Sequence, residues 1–206
     1  MTASRRRRGL LTAVTAAGTG LLGLSLSTRP GSGRFYVLTN AVAATWLAGG
    51  LAAGPPPRGR SRHPVVTPVL IGVGAFGGFY ATALVARRIP VLSRAISGVL
   101  AYAHRGSGPA VFATTLATGA AEEVFFRGVL QEPGTSVVTS TAVYALSTVA
   151  TRNPALVLAS IVMGTVFGLQ RRATGGVQAP LLTHVVWSAL MLRYLPPLFE
   201  TPVPPG

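Results

Sequence analysis

Two adjacent carboxylates inside an apolar stretch are the first residues of this chain that could do chemistry. Glu122 and Glu123 lie in GAAEEVFFRGVLQ, Gly119 to Gln131, within an apolar segment that begins near Val111. The chain has only four acidic residues, none of them Asp, so half of its negative charge sits where a membrane-spanning helix is predicted. A carboxylate in hydrocarbon costs roughly 2.5 to 3.5 kcal/mol on insertion scales, which makes an intramembrane acidic pair a functional-site candidate by default. At helical spacing Glu123 and Arg127 share a face, with the acid on the amino-terminal side, the favourable order for an ion pair. Glu122 points elsewhere. Arg127 can then neutralise Glu123 and leave Glu122 unbalanced, and a buried carboxylate beside a like charge is the kind of group that serves as a general base near neutral pH. The bland alternative is a structural network of Glu122, Glu123 and Arg127 that holds helices together.

His184 is the one histidine inside an apolar span; His63 and His104 lie in or near loops. Ser188 follows four residues later, so the two form a polar stripe on one helix face that could meet Glu122. A lone histidine in such a helix is often only an interhelical hydrogen bond. With the acidic pair elsewhere in the bundle, a water activated by Glu122, with His184 and Ser188 donating to an oxyanion, supplies enough for peptide hydrolysis. Other chemistries fit less well. The chain has no HExxH, no GxSxG, no Asp for a serine triad and no Cys. Any metal would fall to Glu122 and His184, fewer ligands than a catalytic zinc takes.

The elements that must position these groups are helices in a membrane. Apolar residues make up 49% of the chain and charged residues 11%, with a mean hydropathy of +0.51. All 18 basic residues are Arg, and they fall in short clusters between apolar segments, which suits headgroup anchoring. No aromatic-interleaved basic face appears, so a nucleic-acid partner is rejected despite the net charge of +14. Arg5 to Arg8 precede an apolar run from Leu10 to about Leu26, the layout of a signal peptide, but no small-x-small cleavage site follows and an uncleaved first span is favoured. Further spans are predicted over Phe35–Ala53, Val65–Ala86, Val111–Val129, Ser136–Ala150, Ala155–Leu169 and Val177–Leu195. Val91–Ala103 reads as interfacial or as a short tilted crossing. GPPPRGRSRHP, Gly54 to Pro64, is a surface loop; Pro133 and Gly134 stop the acidic helix, and Gln170 to Gly176 is a polar turn. The fold expected is all-α, a polytopic transmembrane bundle of seven or eight helices. The amino-terminal arginines argue for a cytoplasmic start, while later arginines fall on both sides.

EEVFFRG, Glu122 to Gly128, matches the EExxxR signature of the CPBP family, the CAAX proteases and bacteriocin-processing enzymes also known as Abi proteins. RRATGGVQAPLLTHVVWS, Arg171 to Ser188, resembles that family's closing segment, in which a TG-containing turn leads into a helix carrying HxxxN or HxxxD. The resemblance covers roughly Val111 to Leu195 and implies a glutamate-type intramembrane endopeptidase in the cytoplasmic membrane, acting on a membrane-embedded or lipidated protein or peptide. It implies Glu122 as the water-activating base, Glu123 and Arg127 as orienting groups and His184 in the oxyanion hole, and it leaves room for a divalent metal. It divides the chain into a basic segment (1–9), amino-terminal spans with an interfacial segment (10–106), a catalytic core (107–195) and a Pro-rich tail (196–206). The chain departs from the pattern twice. The family's middle FxxxH motif has YALST, Tyr144 to Thr148, as its counterpart, with Thr148 in place of His, and Ser188 stands in place of the closing Asn or Asp. Thr148 can hydrogen-bond a water but cannot take up a proton near neutral pH. Two other classes therefore stay open: a catalytically silent member serving as a membrane scaffold or immunity-type binding protein, and a small carrier with a proton relay.

Overall fold

The computed structural model describes residues 3–106, 108–132 and 134–199 of the chain. Pro133, expected to stop the acidic helix, and the end of the Pro-rich tail, including Glu200, lie outside them. Among the described residues there are eight α-helices and no strand: α1 Ala3–Ser25, α2 Gly33–Ala53, α3 Val66–Ala86, α4 Pro90–His104, α5 Gly108–Glu122, α6 Val137–Val149, α7 Pro154–Thr174 and α8 Gln178–Tyr194. A π-helical segment, Glu123–Leu130, continues α5 without a break, and a short 3-10 turn, Pro196–Leu198, follows α8.

The helix ends follow from local chemistry. Ser32 caps α2 by accepting from the Phe35 N–H, and Ser136 caps α6 by accepting from Thr139. Asn153 accepts from Ala155 and Leu156 at the start of α7, where Pro154 supplies a preset φ and has no N–H to orphan. At the other end of α7, Gly175 takes a left-handed φ of 73° and its N–H closes on Arg171 O. The polar turn expected over Gln170–Gly176 is thus shorter: Gln170 to Thr174 are helical, and Gln170 and Arg171 are buried with bonds of their own to Thr183 and to the Arg127 carbonyl.

α1 lies along α2, α6 along α7 and α3 along α8. α5 and its π continuation run through the middle, between α2 on one side and α7 and α8 on the other. Close approach depends on small residues, as it does where helices pack without a hydrophobic drive between them. Gly18 of α1 has room for no Cβ beneath the Trp46 ring, and a Cβ at Gly72 of α3 would meet the Thr183 carbonyl and Val186 of α8 at 3.0 Å. One apolar cluster gathers Val42, Ala43, Trp46, Ala121, Phe125, Phe126 and Val129, with Leu11, Val14, Leu21 and Leu22 of α1 packed on it. The first helix is therefore part of the bundle. A smaller cluster joins Ala83, Leu100 and Leu195.

The outer surface is apolar as well. Val37, Leu70, Val73, Val85, Leu146, Ile161 and Val162 are exposed, a surface suited to hydrocarbon and poorly suited to water. By length and composition α2, α3 and α7 can each cross a membrane.

The loop between α2 and α3 does more than connect. Its backbone lies against the turn that opens α8: Arg60 N–H donates to Thr174 O at 2.8 Å and Val177 N–H to Pro57 O at 2.8 Å. Gly59 and Gly176 meet backbone to backbone, with no room for a Cβ on Gly176. The arginine side chains of this loop stay exposed.

Candidate active site

The site grows from the change of pitch at Glu122. A continuous α-helix was expected through Val129; instead the i→i+4 ladder gives way at Glu123 to a wider coil whose final bond runs from Gln131 N–H to Phe126 O at 3.0 Å. Such π turns are rare and concentrate where side chains must be aimed. Here the wider turn sends Phe125, Phe126 and Val129 toward Trp46 and Glu123, Arg127 and Gln131 toward α7 and α8.

Glu123 and Arg127 are both fully buried, at 0% exposure. The spacing argument for their contact holds loosely, with Arg127 Nε 3.5 Å from Glu123 Oε2. Arg127 also donates from Nη2 to the carbonyl of Gly164 on α7 at 3.1 Å. One turn on, Gln131 Nε2 donates to Gly168 O at 3.0 Å. The guanidinium lies over the Tyr144 ring, 4.6 Å from its centroid, and 5.3 Å from that of Phe167, so aromatic faces supply part of the solvation that water would give. The Arg127 carbonyl accepts from Arg171 Nε at 2.7 Å, which ties the end of the π segment to the end of α7.

His184 meets the acidic pair through the other carboxylate. Its Nδ1 lies 3.0 Å from Glu123 Oε1, where the α8 stripe was expected to face Glu122. An ionised carboxylate only accepts, so with Glu123 charged Nδ1 carries a proton, and the ring turns its Nε2 edge away from Glu123. The ring is stacked on Phe167, centroids 4.7 Å apart and 20° between planes, and Trp187 stands 5.9 Å away. On the far side it rests against Gly119, where a Cβ would come within 3.0 Å of Nε2. Gly119 and Glu122 are three residues apart on α5 and share a face, so the Nε2 edge and the Glu122 carboxylate border the same strip of that helix.

Glu122 itself is half-buried and accepts a hydrogen bond from the Tyr144 hydroxyl of α6, at 2.8 Å from Oε2. Thr148 does not reach it: its hydroxyl donates back to the Tyr144 carbonyl at 3.0 Å, within its own helix. Ser188 is buried one turn beyond His184 and forms none of the bonds that join the other groups. The structure thus brings together Glu122, Glu123, Arg127 and His184, places Ser188 beside them and leaves Thr148 turned to its backbone. Tyr144, Gly119, Gly164 and Phe167 were missed. Tyr144 alone carried a signal, since it opens YALST four residues before Thr148, on the same face, with a longer hydroxyl-bearing side chain.

The donor set does not fit a divalent metal. Among the described residues no three His, Cys, Asp or Glu side chains gather as metal ligands. One carboxylate is engaged by a phenol and the other by an imidazole and a buried guanidinium, whose positive charge opposes a second cation.

Residues 104–190 match the family model described as type II CAAX prenyl endopeptidase Rce1-like. The match runs from the end of α4 into α8 and contains every group just placed. No curated protein and no solved structure matches the chain.

Proposed function

Because this chain belongs, through residues 104–190, to the CPBP/CAAX protease family, we propose that it hydrolyses a peptide bond of a lipidated or membrane-embedded substrate with a water activated by Glu122. The observation that carries the reading is the strip of α5 shared by the Glu122 carboxylate and the Nε2 edge of His184, beside a second carboxylate, Glu123, that already faces Arg127 and His184. Glu122 takes a proton from the water, whose oxygen attacks the scissile carbonyl carbon. His184, with both ring nitrogens protonated and Glu123 as its counter-charge, donates to the oxyanion that forms. Glu122 then delivers its proton to the amide nitrogen as the C–N bond breaks. Glu123 and Arg127 hold the imidazole rather than touch substrate. The protein sits in the cytoplasmic membrane as a multi-pass bundle, with its arginine clusters at the headgroups.

The test is cleavage of a farnesylated peptide ending in a Cys-aliphatic-aliphatic-X sequence by the full chain in proteoliposomes. Glu122→Gln should lower the rate by about 10²- to 10⁴-fold, the usual contribution of a general base, with unchanged accumulation, and the wild-type rate should survive a chelator. Equal rates for wild type and Glu122→Gln would overturn the assignment. The bond from Thr148 to its own backbone favours one competing reading, a silent family member that binds membrane segments. That reading calls for peptide binding without cleavage, untouched by Glu122→Gln.

A further inference from the structure

Resting on the reading just given, we infer that Tyr144 is the positioning residue of the general base, a phenol on α6 doing for Glu122 what an imidazole at position 148 would do in the resembling enzymes. Four observations meet on it. Its hydroxyl donates to Glu122 Oε2 at 2.8 Å, which fixes one carboxylate oxygen and leaves Oε1 for the water. Its ring is held on two sides, by the Arg127 guanidinium 4.6 Å from its centroid and by the Phe126 ring edge-on at 5.0 Å. The third wall is Gly164, where a Cβ would crowd Tyr144 Cδ1 at 3.1 Å and Arg127 Nη2 at 3.3 Å; the missing side chain leaves room for ring and guanidinium side by side. The residue at the position where an imidazole would be expected, Thr148, spends its hydroxyl on the Tyr144 carbonyl and so braces the helix turn that presents the phenol.

The exchange changes the chemistry as well as the partner. An imidazole can both donate a hydrogen bond and accept a proton, whereas a phenol near neutral pH only donates to a carboxylate. Glu122 is then the one group that moves the proton between water and leaving amine, and Tyr144 sets which of its oxygens does so. The phenol also shares the Arg127 guanidinium with Glu123, so the two carboxylates are oriented through one cation. Tyr144 acts on Glu122 directly, and Glu123 acts on His184.

The experiment compares wild type, Tyr144→Phe, Tyr144→Phe/Thr148→His and Glu122→Gln in the same proteoliposomes with the same farnesylated peptide. Tyr144→Phe keeps the ring on Arg127 and Phe126 and removes only the hydroxyl. A lost bond to a charged acceptor should lower kcat by roughly ten- to a hundredfold, with KM and the melting temperature in detergent unchanged. The double variant, which offers an imidazole from the next turn, should recover part of that loss. Infrared difference spectra give a readout that needs no turnover: a carboxylate stretching band should shift in Tyr144→Phe and be missing in Glu122→Gln. Tyr144→Phe with kcat within twofold of wild type, beside an inactive Glu122→Gln, overturns the role of Tyr144 and leaves the protease reading standing. A loss that follows protein accumulation overturns it too, as a packing effect. A wild-type chain that cleaves nothing removes the protease reading, and an unmoved carboxylate band then removes the Tyr144–Glu122 pairing as well.

Discussion

On one side of the π segment Phe125, Phe126 and Val129 lie against Val42, Ala43 and Trp46 of α2; on the other, Glu123, Arg127 and Gln131 lie against the carbonyls of Gly164 and Gly168 and the ring of His184. The first side is held by ring contacts, Trp46 to Phe125 at 4.9 Å and to Phe126 at 5.0 Å, which depend on shape and fade gradually as shape changes. The second is held by directional bonds to partners that cannot be replaced by water in a dry bundle, so each group is either satisfied or costly. The two faces thus divide the work: one anchors the segment and the other aims it.

That division can be broken most severely at Arg127. Arg127→Ala takes the guanidinium from the buried Glu123 and leaves it only the His184 ring, a defect of about 3 to 5 kcal/mol, and should abolish accumulation of folded protein in the membrane. Arg127→Lys should recover little, since an ammonium cannot lie on the Tyr144 ring and reach Gly164 as a planar fork does. If Arg127→Ala accumulates and melts like wild type, the polar face is not structural. Gly119→Ala probes aim rather than anchorage. Its Cβ would press on His184 Nε2, so the imidazole must shift by a fraction of an ångström, and cleavage should fall on the order of tenfold at normal accumulation. The smallest effect belongs to the apolar side. Phe125→Leu should cost less than about 1.5 kcal/mol, read as a modest fall in melting temperature in detergent, with the rate per folded molecule unchanged. A rate loss there would join the two faces into one.

Much of this arrangement was legible in the residues. The helices α2, α3 and α7 announce themselves by apolar length, and the acidic pair stands out because so few negative charges exist in the chain. The contact between Glu123 and Arg127 followed from spacing alone. What the residues could not disclose is whatever depends on reach between helices. That His184 bonds Glu123 and not Glu122 turns on how far α8 stands from α5, which no single-helix wheel contains. The role of Tyr144 is hidden because its hydroxyl sits on an aromatic ring that equally well fills a core, while Thr148 stands out as the departure from a motif. The change of pitch at Glu123 leaves no mark in a pattern of apolar and polar residues. Gln170 and Arg171 looked like turn formers by polarity, yet buried partners keep them helical.

The loop from Pro57 to Arg60 grips the start of α8 through main-chain atoms, and it lies well before residue 104, where the family match begins. Peptide groups are common to every residue type, so the side chains there are free to drift while the grip persists, as long as Gly59 and Gly176 remain bare enough to touch. A protein trimmed to its recognisable part would therefore keep every reactive group and lose the brace that holds the imidazole-bearing helix in register.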